Sequence, residues 1–355
     1  MSKIKENNVI IHIGYGKTAS TFLQNYFTDM KGINYLGGWY DNKKREYFFK
    51  IPFFNKLINQ IVQPEFFTGF NKNFKKELAN RLKKNRDKVS LISNDHFSIT
   101  PSYSCAKRLK EIFPNGKILL ILRKQQDLIF SLYRYRGHYL RYAAEPYFRR
   151  FISFDSWVTR IIKNYYSNSG AHRDKTWEGD YLRVIDSSLL VSNFEKFFGK
   201  KNIHILLYEE MVKDPDAFLK KLSTILKIDC SVLKNKLKTN EINKSFSFNH
   251  IKFLYYKDKI LGKLTITKKI FFLKPLAKII YKFLGNKSNL FESNFFTKKQ
   301  LKEIKKIYSK KNNILDKRYN LSLKKYGYFT DIVRNNVPNY DYAGKFSNDN
   351  SLYER

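Results

Sequence analysis

A chain of 355 residues, 43% of them hydrophobic, can bury a substantial core, and its two cysteines, Cys105 and Cys230, imply neither a disulfide framework nor a metal site. Lys and Arg number 68 against 31 Asp and Glu, so the formal net charge is +37, a field that draws anions and weakens with salt. The 25 Tyr and 31 Phe offer stacking surfaces for nucleic acid, but the basic residues are spread along the chain and no zinc-finger, RNA-recognition or basic-zipper signature accompanies them.

The first element is Val9-Ile-Ile-His-Ile-Gly-Tyr-Gly-Lys-Thr-Ala-Ser-Thr-Phe-Leu-Gln24, which predicts an apolar strand, a Gly-Lys-Thr turn and the opening of a helix. Gly14 and Gly16 let the backbone turn tightly and approach a ligand, while the free N–H groups of the helix point outward with partial positive charge. Lys17 adds a full cation, and Thr18, Ser20 and Thr21 add hydroxyls, so the segment reads as an anion cradle. A Walker A loop ending at Gly16-Lys17-Thr18 would need glycine at Ile11, inside the strand, which counts against a nucleoside-triphosphate site.

Ser90-Leu-Ile-Ser-Asn-Asp-His-Phe-Ser98 predicts a second strand ending in a polar turn, with Asp95 and His96 as candidate proton acceptors. Lys117-Ile-Leu-Leu-Ile-Leu-Arg123 is a wholly apolar run ending in a charge, as expected of a strand buried on both faces. Apolar residues at 128, 129, 132 and 133 then give a helical stripe, and Ser131 lies about two turns into that helix. Asn202 to Leu207 predicts another core strand, followed by a helix that Asp214 caps and Pro215 opens, running to Ile225. Asn243-Lys-Ser-Phe-Ser-Phe-Asn249 is a polar loop in which Lys244 is a candidate anion contact. Residues 260–284 are basic and amphipathic; lysines interrupt every apolar run, so the stretch suits an anionic membrane surface or a packed helix pair rather than a span.

The runs at 9–13, 89–92, 118–122 and 203–207 alternate with helical patterns, which predicts an α/β fold built on a parallel sheet. One domain over residues 1–330 is expected, with helical elaborations at about 145–200 and 230–312 and a tail over 331–355. The apolar run after the charged Met1 to Asn8 is too short for a secretory leader, and a cytoplasmic location, with peripheral contact at the inner membrane face through 260–284, is the expectation.

The first segment resembles the 5′-phosphosulfate loop of sulfotransferases that use 3′-phosphoadenosine 5′-phosphosulfate (PAPS), in the bacterial branch that acts on carbohydrates, approximately H-I-G-x-P-K-[TS]-G-[TS]-T-x-L-Q. His12, Ile13, Gly14, Lys17, Thr18, Ser20, Thr21, Leu23 and Gln24 agree; Gly16 replaces the usual proline and Ala19 the usual glycine. Arg123 and Ser131 keep the separation of the family's R-[DN]-P-x-x-[RL]-x-x-S, with Lys124 and Gln125 in place of the acid and proline. Asp95 falls at the glutamate of S-x-E-x-[LF]-S. Tyr208-Glu209-Glu210 with Asp214-Pro215 is similar to "Y-E-D-L…D-P", and Asn313 to Phe329 is similar to the closing "N…L…Y-x-[IL]-x-L…Y-G-Y".

The resemblance implies a P-loop-like α/β fold and a cofactor site made of Gly14, Gly16, Lys17, Thr18, Ala19, Ser20, Thr21 and Phe22 on the 5′ side, with Arg123 and Ser131 on the 3′-phosphate and Lys244 closing over the phosphates. It also implies Lys17 as charge stabiliser and Asp95, with His96 as its rival, as the base that takes the proton from an acceptor hydroxyl, without a metal. A carbohydrate or lipid-linked saccharide is the implied acceptor. A kinase using the same loop and a non-catalytic polyanion or nucleic-acid binder are the competing readings.

Overall fold

The computed structural model describes residues 9–28, 30–41, 46–49, 51–63, 69–99, 102–135, 152–167, 181–237 and 295–331. Five parallel strands form the sheet: β1 (Val9–His12), β2 (Ile33–Tyr35), β5 (Val89–Ser93), β6 (Lys117–Leu122) and β7 (Ile203–Leu207), in the order β2-β5-β1-β6-β7. β3 (Trp39–Asp41) and β4 (Glu46–Phe48) make a separate antiparallel pair. All four strands expected from apolar runs are present. β2 and the β3–β4 pair escaped the sequence because three residues are too few to show a period.

Alternation along the strands explains why helices cover both faces. Val9, Ile11 and Ile13 join Ile92, Ile118 and Leu120 on one side, whereas Ile10 joins Leu91, Leu119, Ile121 and Leu206 on the other. The first face packs α2 (Pro52–Val62), α3 (Lys72–Lys83), α4 (Ser102–Ile112), α5 (Gln125–Tyr135), α6 (Phe154–Tyr166), α7 (Tyr181–Val184), α8 (Ser187–Phe198) and a long helix over Lys298–Tyr319. Against the second face lie α1 (Ser20–Thr28), α9 (Tyr208–Lys213), α10 (Pro215–Leu226) and α11 (Cys230–Leu237). The helix over Lys298–Tyr319 is α12 below.

Helix boundaries follow local chemistry. Asp214 accepts from the Ala217 amide, with Pro215 in the first turn of α10, as the sequence predicts. Thr297 and Gln300 form a reciprocal capping box on α12, and Asn320 ends that helix in the left-handed conformation. α2 buries Phe54, Leu57, Ile58 and Ile61, the spacing of a single apolar face.

From β1 the chain passes to the edge strand β2, returns to β5 beside β1, and then crosses β1 to β6 on its other side, so the order reverses around β1, where the carboxyl ends of open α/β strands leave a crevice. α6, α7 and α8 occupy part of the expected elaboration at 145–200, and α11 and α12 part of that at 230–312. Lys244, the 243–249 loop, the 260–284 stretch and tail residues 332–355 lie outside the described residues. Among the described residues, no helix is long and apolar enough to cross a membrane.

Candidate active site

The loop after β1 is held in place by continued pairing with β6. Ile13 and Tyr15 donate backbone N–H groups to Leu119 and Ile121 at 3.0 and 3.2 Å, and Ile121 donates back to Gly14 O at 2.9 Å. Gly14 takes φ +109°, a conformation open to glycine; Lys17 and Ala19 also have positive φ, 70° and 61°. The Thr18 hydroxyl, fully buried, donates to Tyr15 O at 2.6 Å and closes the turn from within. α1 starts at Ser20, so its first-turn amides face the loop. Ile11, where a Walker loop needs glycine, is buried in the sheet opposite Ile92 and Ile118.

Asp95 reaches this loop from the neighbouring strand. β5 ends in a 3₁₀ turn, Asp95–Ser98, hung on the Asn94 amide, which donates to His12 O at 3.1 Å, and anchored by the fully buried Phe97. Asn94 Oδ1 accepts from the His96 amide at 2.8 Å, and the Ser98 hydroxyl donates to Asp95 O at 2.8 Å. The turn packs on the loop glycines so closely that a Cβ at Gly14 would stand 2.9 Å from Ser98 Oγ, and one at Gly16 3.0 Å from Asp95 Oδ2. Asp95 is half-buried against the loop, whereas the His96 side chain is exposed. Beneath them, His12 is fully buried with Nδ1 2.7 Å from Ser93 Oγ, and burial lowers its pKa from 6.5 to about 4, so the ring is neutral.

Arg123 closes the crevice from β6. Its Nη1 donates to Lys17 O at 3.0 Å, and its guanidinium lies over the Tyr208 ring, 4.6 Å from the centroid. Ser131 is buried on α5, and Tyr135, one turn further along the same face, takes the Lys17 ammonium over its ring at 3.3 Å. The structure thus brings Gly14, Gly16, Lys17, Asp95 and Arg123 together at the carboxyl edge of β1, β5 and β6, with Ser131 on the helix that follows Arg123.

Residues 7–316 match the family described as the sulfotransferase domain. The chain belongs to the sulfotransferase family. Among solved structures it is similar to a sulfotransferase from Alicyclobacillus acidocaldarius, at 17% identity over 73% of this chain and 94% of that one, with TM-score 0.42. A mouse sulfotransferase complexed with PAP is also similar, at 17% identity over 92% of this chain and 90% of that one, TM-score 0.43. The sulfotransferase domain from the curacin biosynthetic pathway matches at 13% identity over 79% of this chain and 98% of that one, TM-score 0.34. No curated protein sequence matches it.

In this sulfotransferase the turn after Arg123 is braced by residues that the sequence left without chemistry. Glu209 accepts the Lys124 amide on Oε1 and the Tyr328 hydroxyl on Oε2, each at 2.9 Å, and burial pushes its carboxyl above the usual range. Gln126 Nε2 donates to Gly327 O at 3.1 Å, and the buried Gln125 and Asn312 exchange amide hydrogen bonds at 2.9 and 3.1 Å. Lys124 and Gln125, which depart from the family's acid and proline, are therefore held by an ion pair to Asp127 at 2.9 Å and by α12. Tyr135 was also missed. Its spacing of four from Ser131 was the available signal, because residues four apart share a helix face.

Proposed function

We propose that this sulfotransferase moves the sulfuryl group of PAPS to a hydroxyl of a carbohydrate or glycolipid acceptor. The observation that carries the reading is the Arg123 guanidinium donating to the Lys17 carbonyl at 3.0 Å, a contact between the arginine after β6 and the loop after β1 that supports one shared site. The donor set fits a nucleotide with an anion at each end: a glycine-bearing loop and a helix N-terminus on one side, a planar fork and a buried hydroxyl on the other. When bound, PAPS supplies the activated sulfuryl group, linked through oxygen to its 5′-phosphate.

In this reading Lys17 leaves the Tyr135 ring and stabilises negative charge gathering on the bridging oxygen. Amides of Lys17, Thr18, Ala19, Ser20, Thr21 and Phe22 hold the 5′ side. Arg123 and Ser131 hold the 3′-phosphate, and Lys244 is the further cation for the phosphates. Asp95 takes the acceptor proton; its contact with the loop and the exposure of the His96 side chain support the acid over the imidazole. The +37 charge favours capture of the anionic cofactor. The basic amphipathic sequence 260–284 favours a lipid-linked saccharide presented at the cytoplasmic face of a membrane.

Thermal-shift titration with adenosine 3′,5′-bisphosphate (PAP), ATP with magnesium, and an oligonucleotide tests the cofactor assignment. Stabilisation by PAP without magnesium is expected, together with loss of PAPS turnover in a folded Lys17→Ala variant. A response to ATP and magnesium alone, to the oligonucleotide alone, or normal turnover by Lys17→Ala refutes it.

A further inference from the structure

Two features of this chain look unrelated in the sequence: a glycine at 16 and an aspartate at 95. In the structure they meet. A Cβ built on Gly16 would have Asp95 Oδ2, Cγ and Cβ as its three nearest neighbours, at 3.0, 3.8 and 3.9 Å. The carboxylate therefore lies across the face of the loop that a side chain at 16 would cover.

We infer that Gly16 is a positioning residue for Asp95: the missing side chain lets the short acid settle on the loop, within reach of the sulfuryl end of the cofactor. The inference rests on the PAPS-dependent reading above and deepens it. Backbone freedom is not the reason for glycine here, because Gly16, unlike Gly14, has no positive φ. Alanine at 16 is thus allowed by the backbone, and its methyl group meets the carboxylate before anything else. At 3.0 Å the acid must give way by a few tenths of an ångström. The Asp95 end of the contact is firm on its backbone side, where the Asn94 amide is bound to His12 O and the Ser98 hydroxyl to Asp95 O. The carboxylate, not the turn, is what moves.

The step that reports on Asp95 without a known acceptor is hydrolysis of PAPS by water. Water oxygen bonds to sulfur, the bond from sulfur to the bridging oxygen breaks, the water proton goes to the Asp95 carboxylate, and sulfate and PAP leave. Gly16→Ala should slow this hydrolysis roughly tenfold, since an ångström of misplacement costs about a hundredfold and the shift is smaller. Its affinity for PAP, measured by calorimetry, should stay within about twofold, because residue 16 has no positive φ and the added methyl group meets the Asp95 side chain rather than the loop backbone. Gly14→Ala is the contrast: at φ +109° and 2.9 Å from Ser98 Oγ it strains the loop and should lose PAP binding.

In an Asp95→Ala background, Gly16→Ala should slow the residual hydrolysis no further, and any thermal stability that Gly16→Ala costs alone should return once the carboxylate is gone. An equal rate loss in both backgrounds, loss of PAP binding like that of Gly14→Ala, an unchanged rate in the single variant, or instability that Asp95→Ala does not relieve each overturns the inference. The wild type is measured alongside. Absence of PAP binding and PAPS hydrolysis there sinks the functional reading, whereas their presence with an indifferent Gly16→Ala sinks only the role of Gly16.

Discussion

His12 ends β1 directly below the loop, and its burial makes the protein sensitive to mild acid. The folded ring has a pKa of about 4 because desolvation disfavours the imidazolium, while the unfolded chain keeps the ordinary value of 6.5. Between those values the unfolded state binds a proton that the folded state refuses. Stability is therefore fully present above about pH 6.5 and falls as pH falls toward the folded pKa. At about pH 5 the proton-binding factor is about 30 for the unfolded chain against about 1 for the folded one, which is worth about 2 kcal/mol; at about pH 7.5 the difference is close to zero. His12→Asn keeps a polar group near Ser93 Oγ but cannot take up the proton. Urea unfolding followed by circular dichroism, for both proteins at both pH values, isolates this contribution from the carboxylates that titrate in each. The wild type should lose about 2 kcal/mol more than the variant on acidification. Equal losses would refute a buried neutral imidazole beneath the loop.

Ala19 occupies a left-handed conformation at φ 61°, so Ala19→Gly should stabilise the fold by about 1 kcal/mol in urea unfolding. Arg123→Ala removes hydrogen bonds to a charged phosphate worth about 1.5–3 kcal/mol and should weaken PAP binding about 10- to 150-fold by calorimetry, with α/β circular dichroism retained. Tyr135 holds the Lys17 ammonium over its ring, a contact worth about 0.5–1 kcal/mol at an exposed site, so Tyr135→Leu should tighten PAP binding about two- to fivefold. Tyr135→Phe, which keeps the ring face, should bind PAP as the wild type does; weaker binding by Tyr135→Leu would mean that the ring still carries Lys17 in the bound state.

The strands that bear the site were legible because they are buried on both faces and read as apolar runs, from Val9 to Ile13 with His12 as the one interruption and from Ile118 to Leu122 without any. Their charged or glycine-bearing ends marked the ligand edge. β2 was not legible, since Ile33-Asn-Tyr35 is short and its two later residues are only half-buried. Nor was the meaning of Ala19: the sequence shows one extra methyl group, but the cost lies in a backbone angle. Asp95 came ahead of His96 only by its position in the resemblance, and the structure adds that the acid packs on the loop whereas His96 is exposed. The role of Glu209 depends on Tyr328, more than a hundred residues away, and no local pattern encodes such a meeting.

That distant meeting bears on how the protein is made. The turn carrying Arg123 gets its brace from Gly327, 201 positions on from Gln126, and from Tyr328 through Glu209, 119 positions apart. A ribosome that has delivered β1, β5 and β6 has already released the strands that carry the loop, Asp95 and Arg123, yet the turn after Arg123 still lacks its brace. The brace of the Arg123 turn therefore forms only after residues 327 and 328 have been made, through contacts of high sequence separation of the kind that slow folding.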